Sequence, residues 1–208
     1  MRICAIVPSH NHYKRLDAVV QCLSEADLPV FIIDDGSDEP AHTAIAAMQN
    51  EAKNIVVHCL ATNQGKGAAV MEGFRLALAA GFTHAFQVDA DGQHDLGAWP
   101  RLLKLAAENP NALISGQPIY DASIPMGRKI GRWITHLWVW IETLSFRITD
   151  SMCGFRVYPL VPVQELMATE RIGRHMEFDT EIMVRLALCQ VSKMTAERDL
   201  TRFLSLVL

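Results

Sequence analysis

The chain has 208 residues, which is room for one sizeable domain and cramped for two. Half of the residues are hydrophobic and 20% are charged, so a disordered chain is excluded and a real core is expected. A formal net charge of −4 supplies no overall attraction for a polyanion; nucleic acid is not an expected partner, and any phosphate chemistry must be local.

In chain order, short apolar runs alternate with helical patterns. Ile3 to Pro8 (ICAIVP), Val30 to Asp35 (VFIIDD), Ile55 to Leu60 (IVVHCL) and His84 to Asp91 (HAFQVDAD) are rich in β-branched or aromatic residues and end in turn formers, so they read as strands; Ala112 to Gly116 is a weaker fifth. Between them Tyr13 to Ala26, His42 to Ala52, Ala68 to Ala80 and Ala98 to Glu108 carry apolar residues at helical spacing. This alternation predicts right-handed βαβ crossovers: an α/β fold with a mostly parallel central sheet and helices on both faces.

The second half changes character. Ile130 to Thr149 reads as one helix with Trp133, Leu137, Trp140 or Ile141, Leu144 and Ile148 on one stripe, preceded by Arg128, Lys129 and Arg132. Two readings fit equally: a core helix with a solvated basic end, or a helix lying at a membrane surface through residues 128–148. No run approaches the roughly 20 apolar residues of a spanning helix. The segment after Met1-Arg2 is too short for a secretory signal and meets Pro8, so a cytoplasmic location is expected, peripheral at the inner face of a membrane if that helix touches lipid. Cys4, Cys22, Cys59, Cys153 and Cys189 show neither C-x-x-C nor zinc-ligand spacing, which favours reduced thiols over disulfides or structural zinc.

In an open parallel sheet the ligand crevice lies beyond the carboxyl ends of the strands. Three of those ends are polar here: Pro8-Ser9-His10-Asn11-His12, Asp34-Asp35-Gly36-Ser37 and Asp89-Ala90-Asp91-Gly92-Gln93-His94-Asp95. Side chains two apart on an extended backbone share a side, so Asp89 and Asp91 are candidates to hold one hard cation, with Gln93 next in the alternation. A solvated turn is the plainer reading of Asp-x-Asp taken alone, and Asp95 reads as a helix N-cap. Asp34-Asp35-Gly36-Ser37 reads either as a turn or as a ligand loop in which one carboxylate takes a base or ribose donor. Asn63-Gln64-Gly65-Lys66-Gly67 opens a helix and reads equally as a plain helix start with an exposed lysine or as N–H groups and a cation suited to phosphate; it is neither a Walker A loop nor G-x-G-x-x-G. Asp150-Ser151-Met152-Cys153-Gly154-Phe155-Arg156 and Glu177-Phe178-Asp179-Thr180-Glu181 are either structural or bring a carboxylate or Arg156 into the crevice.

The ordered set IVPSHNH, IIDDGSDEP, NQGKGAAVMEGFRLA, QVDADGQHD, DSMCGFRVY and EFDTEIMVRL resembles the family 2 glycosyltransferases of GT-A fold, near the polyprenyl (dolichyl) phosphate mannose and glucose synthase branch. The resemblance covers roughly Arg2 to Leu188. It implies a Rossmann-like catalytic domain over 1–188, a nucleotide-diphosphate sugar donor, Mg²⁺ or Mn²⁺, and inverting transfer to a lipid-linked acceptor. It also implies that Pro8, His10, His12 and Asp35 surround base and ribose, that Asp89, Ala90 and Asp91 meet diphosphate and metal, and that Gln93 is a further metal ligand. Lys66 and Arg156 join the substrate-binding set. A lipid phosphate acceptor attacks through its own oxyanion, with Arg128, Lys129 and Arg132 holding it; a hydroxyl acceptor makes Asp150, Asp179 or Glu181 the candidate base.

Three departures stand out. His10-Asn11-His12 replaces the usual Tyr-Asn-Glu, which leaves base preference open, and Gln117 stands where arginine is frequent. Cys189 to Leu208 matches nothing in the pattern and reads as an altered or truncated end. The competing reading is a non-catalytic relative that binds nucleotide-sugar or lipid. A sugar-phosphate nucleotidyltransferase lacks its glycine-rich first-strand signature here, and an Asp-x-Asp phosphatase conflicts with Gln93.

Overall fold

The computed structural model describes residues 1–50, 53–117, 126–143, 146, 148 and 150–196. Strands β1 (Ile3–Ser9), β2 (Val30–Asp34), β3 (Ile55–Cys59), β4 (His84–Gln87), β5 (Ile114–Ser115) and β6 (Arg156–Pro159) form one sheet in the order β3-β2-β1-β4-β6-β5. β1 pairs in parallel with both β2 and β4, and β2 with β3. β6 runs antiparallel to both β4 and β5, so it alone is reversed and the sheet is mixed.

The strands bury both faces, which is why they read as continuous apolar runs rather than alternating ones. Cys4 and Ile6 of β1 face one layer, packed with Phe74 of α3 (Lys66–Ala79), Leu166 of α6 (Leu160–Thr169) and Phe178 of α7 (Phe178–Ala196). Ala5 and Val7, one residue out of phase, face the other layer, with Leu16 and Val20 of α1 (Tyr13–Glu25), Ile45 of α2 (Ala41–Ala47) and Leu102 of α4 (Trp99–Glu108). Each large side chain so buried contributes about 1.5–3 kcal/mol. Helices on both faces of the sheet are therefore as expected.

Two expectations are corrected. No strand is read from the sequence at 156–159, yet β6 enters between β4 and β5; four residues headed by an arginine carry too little periodic signal. The fourth strand was expected to reach Asp91 but its ladder stops at Gln87, and residues 90–92 form a turn with Gly92 at φ +65°. Asp89, Asp91 and Gln93 therefore do not alternate along an extended backbone.

α5 (Met126–Thr143) buries Val139 and Thr143 and leaves Trp133, Ile134, Leu137, Trp138 and Ile141 exposed, so its predicted apolar stripe is largely outside the core. Leu144 and Thr149 of the predicted helix, and the side chains of Arg128, Lys129 and Arg132, lie outside the described residues. No helix among the described residues is long and apolar enough to cross a membrane. α7 continues unbroken past residue 188 to Ala196; residues 197–208 lie outside the described residues.

Candidate functional site

The carboxyl ends of β1, β2 and β4 and the start of α3 enclose a cavity of about 390 Å³. Its lining includes Pro8, His10, His12, Asp35, Lys66, Asp89, Ala90 and Asp91, so eight of the predicted site residues converge. Gln93 is exposed and absent from that wall.

Each end of the cavity is built locally. At β1, His10 donates from Nδ1 to the Asp35 carbonyl at 3.0 Å, so Nδ1 carries a proton. Asp35, 3% exposed, accepts from the Gln64 N–H at 2.7 Å and the Gly65 N–H at 2.9 Å. Its carboxylate thus holds the loop that opens α3. Gly65 has φ +98°, and a Cβ there would strike the Arg174 carbonyl and the His175 ring, so glycine is required on both counts.

α3 then delivers Lys66. Its Nζ lies 2.7 Å from Asp89 Oδ1 and 2.7 Å from Asp179 Oδ2. Burial works against the ammonium, but the two carboxylates outweigh it and hold the Lys66 pKa above its ordinary value. Burial likewise disfavours the Asp89 carboxylate, and His94 together with Lys66 overcomes this and holds its pKa below the ordinary value. His94 Nε2 stands 3.5 Å from Asp89 Oδ2 and its ring stacks on Phe155 at 4.9 Å. A Cβ at Gly154 would collide with the Asp89 carboxylate, so the turn before β6 lies directly against this group.

Behind Lys66 runs a buried polar chain. Gln87 Nε2 donates to Asp179 Oδ1 at 2.9 Å, and Tyr158 Oη donates to Gln87 Oε1 at 3.1 Å. Arg156 donates through Nη1 to the Asp179 carbonyl; the residue is fully buried, and its Nε and Nη2 find no partner among the described residues. Burial pushes the Tyr158 hydroxyl up to about 12, so it is a permanent donor here. Arg156 was expected among the substrate-binding residues and is not on the cavity wall; it braces Asp179 from behind.

The remaining candidates hold backbone. Asp150 Oδ1 accepts from the N–H groups of Met152 at 2.8 Å and Cys153 at 3.0 Å, shaping the approach to β6. Glu181 Oε2 accepts from the Gly173 N–H at 2.6 Å and Oε1 pairs with Arg185. It thereby anchors a loop whose His175 and Met176 line the cavity. Sequence reasoning misses those two, because a loop residue that reaches the site only through folding leaves no spacing to find; it also misses Ala69 of α3, whereas Ser9 and Asn63 lie within motifs that the sequence singles out without assigning them a role.

For a divalent cation the donor set is narrower than Asp89, Asp91 and Gln93. Asp89 is already compensated by Lys66, whereas Asp91 lines the cavity and its Oδ1 accepts from the Gln93 N–H at 2.9 Å. One hard carboxylate oxygen beside a phosphate-sized space fits Mg²⁺ or Mn²⁺, which keep several positions for substrate oxygens and water.

A family model described as Glycosyl transferase family 2 matches residues 4–161. An undecaprenyl-phosphate mannosyltransferase of Micrococcus luteus is 31% identical over 165 residues, covering 76% of this chain and 66% of that protein. A UDP-N-acetylglucosamine–dolichyl-phosphate N-acetylglucosaminyltransferase of Methanococcus voltae is 23% identical over 194 residues, covering 83% and 75%. Among solved structures, S. aureus TarS 1–349 superposes with a TM-score of 0.58 at 16% identity, covering 86% of this chain and 54% of that one. The mannosyltransferase PcManGT of Pyrobaculum calidifontis, in complex with GDP-Man and Mn²⁺, gives 0.55 at 15% identity, covering 79% and 46%. At those identities the likeness shows the GT-A fold, and the chain spans about half the length of these two structural neighbours.

Proposed function

The chain belongs to glycosyltransferase family 2, and from that premise we propose that it moves a sugar from a nucleotide-diphosphate donor to a lipid phosphate of the polyprenyl kind, with inversion at the anomeric carbon. The observation that carries this reading is the placement of Lys66 between Asp89 and Asp179 on the wall of a cavity whose rim holds Asp91. Pro8, Ser9, His10, His12 and Asp35 offer a surface for base and ribose. Lys66 and Asp91, on the same wall, supply what a diphosphate needs for compensation. A bound Mg²⁺ or Mn²⁺ supplies further charge stabilisation for the leaving diphosphate.

The acceptor assignment rests on what the candidate bases already do. Asp179 is held by Lys66 and Gln87, Glu181 by Gly173 and Arg185, and Asp150 by the turn that it caps. A phosphate acceptor needs none of them: its oxyanion forms the new bond to the anomeric carbon as the bond to the diphosphate oxygen breaks, and nucleoside diphosphate leaves. The exposed aromatic and aliphatic face of α5, with Arg128, Lys129 and Arg132 at its start, suits contact with a membrane surface from the cytoplasmic side. The catalytic domain is read as residues 1–188.

The test is transfer of labelled sugar from UDP- and GDP-donors, with Mn²⁺, to polyprenyl phosphate in vesicles, alongside hydroxyl acceptors. Label extracted with the lipid supports the reading. Donor binding without transfer to any acceptor replaces it with a non-catalytic binder, and transfer only to hydroxyls overturns the acceptor class.

A further inference from the structure

We propose that Asp34, His42 and Cys59 form a second cation site, of the zinc class, separate from the oxygen site at Asp91. β2 and β3 end side by side, and Asp34 and Cys59 are Cα partners in their parallel ladder. α2 brings His42 over the same spot, so that its Nδ1 lies 2.9 Å from Asp34 Oδ2. The three ligand atoms all lie within 4.8 Å of one another.

The group is anchored on a buried carboxylate, with His42 partly exposed and Cys59 exposed above it. Asp34 is fully buried, and its Oδ1 is spent on the Ser37 N–H at 3.0 Å, which leaves Oδ2 for His42 and Cys59. His42 and Cys59 reach into an open cavity of about 720 Å³, where a fourth ligand such as water has room. The donor chemistry selects the metal. Thiolate, imidazole and carboxylate suit a borderline cation such as Zn²⁺ and are poorly matched to Mg²⁺.

With bonds of about 2.0–2.3 Å to zinc, tetrahedral ligands stand roughly 3.3–3.6 Å apart. The Asp34–His42 separation must open slightly and the widest one close by about 1 Å, within reach of rotations of Cys59 and of His42, whose side chain is 45% exposed. On binding, the Cys59 thiol releases its proton to solvent and the imidazole of His42 binds through Nδ1 with its proton on Nε2, so the Asp34 carboxylate and the Cys59 thiolate balance the charge of the cation. His10 and Asn63 line both this cavity and the donor cavity, so the two sites adjoin without sharing a ligand.

The experiment is titration of the chelator-treated full chain with Co²⁺ alone, followed by absorption, then by displacement with Zn²⁺. The expected result is one cobalt per chain with thiolate charge-transfer bands in the near ultraviolet and the visible bands of a tetrahedral site, abolished in Cys59→Ser, weakened in His42→Ala and retained in Asp91→Asn. Zn²⁺ bleaches both sets of bands. Absence of thiolate bands in the wild type, or bands that survive Cys59→Ser unchanged, overturns the proposal. Circular dichroism of the metal-free variants checks that each is folded, and the buried Asp34 is left unaltered for that reason.

Discussion

The Lys66 ammonium stands 2.7 Å from the Asp179 carboxylate, 113 positions further along the chain, at the junction of the donor cavity and a buried polar chain. Removing the cation leaves Asp179, only 2% exposed, without its ion-pair partner, with the buried Arg156 guanidinium as the remaining neighbouring positive charge. Lys66→Met is expected to cost about 3–5 kcal/mol in urea unfolding, because a buried charge that loses its partner is more costly than a pair that never formed. Donor binding falls in parallel, measured by calorimetry.

Lys66 and its other partner, Asp89, set a pH dependence. The Asp89 pKa is lowered on folding, so its contribution is complete above the ordinary value of 3.8 and is lost as pH falls through the lower folded value. Lys66 is raised, so its contribution is complete below 10.5 and is lost as pH rises through the higher folded value. The urea midpoint of the wild type is therefore expected to fall at both extremes, and in Lys66→Met the alkaline fall attributable to this lysine disappears.

Asp91 and Gln93 separate cleanly. Asp91→Asn is expected to abolish the increase in donor affinity produced by Mn²⁺, while Gln93→Ala, altering an exposed residue off the cavity wall, leaves it nearly intact. Equal losses in both variants would contradict a site built on Asp91.

Gly154→Ala drives a methyl group into the Asp89 carboxylate. Overpacking of this kind costs about 1–3 kcal/mol of stability. The diagnostic effect is on turnover: a fall in kcat/KM of roughly tenfold or more, equivalent to about 1.4 kcal/mol, in a chain whose circular dichroism is unchanged.

Trp133 and Trp138 are 59% and 60% exposed, so replacing both with Glu costs the fold little. If α5 meets anionic lipid, the doubly substituted chain loses most of its sedimentation with anionic vesicles and keeps its affinity for donor in solution.

Much of this molecule is legible in one dimension. β1, β2 and β3 and helices α1, α3 and α4 are read within a few residues of their bounds, because strands buried on both faces and helices covering them carry dense local patterns. β6 escapes, since its pairing with β4, for example Gln87 with Arg156, depends on a partner far away in sequence. The exposed stripe of α5 has the periodicity of a buried one; periodicity records that a face is apolar and not what lies against it.

The site divides in the same way. Residue type and spacing were enough to assign the α/β class, the polar strand ends and the helix-start loop that carries Lys66, and a family resemblance placed Asp35, Asp89 and Asp91 in one crevice, because strand ends in a parallel sheet necessarily share an edge. Only the tertiary structure decided that Lys66 neutralises Asp89 and Asp179 together, that Arg156 braces the site from within the core, and that Glu181 acts through the loop carrying His175 and Met176. It alone gathers Asp34, His42 and Cys59, which no ligand spacing announces. The physical reason is one of range: hydrophobic pattern is a local property of the chain, whereas the choice of partner by a charge or a ligand atom is made across the sheet edge, between residues that only folding makes neighbours.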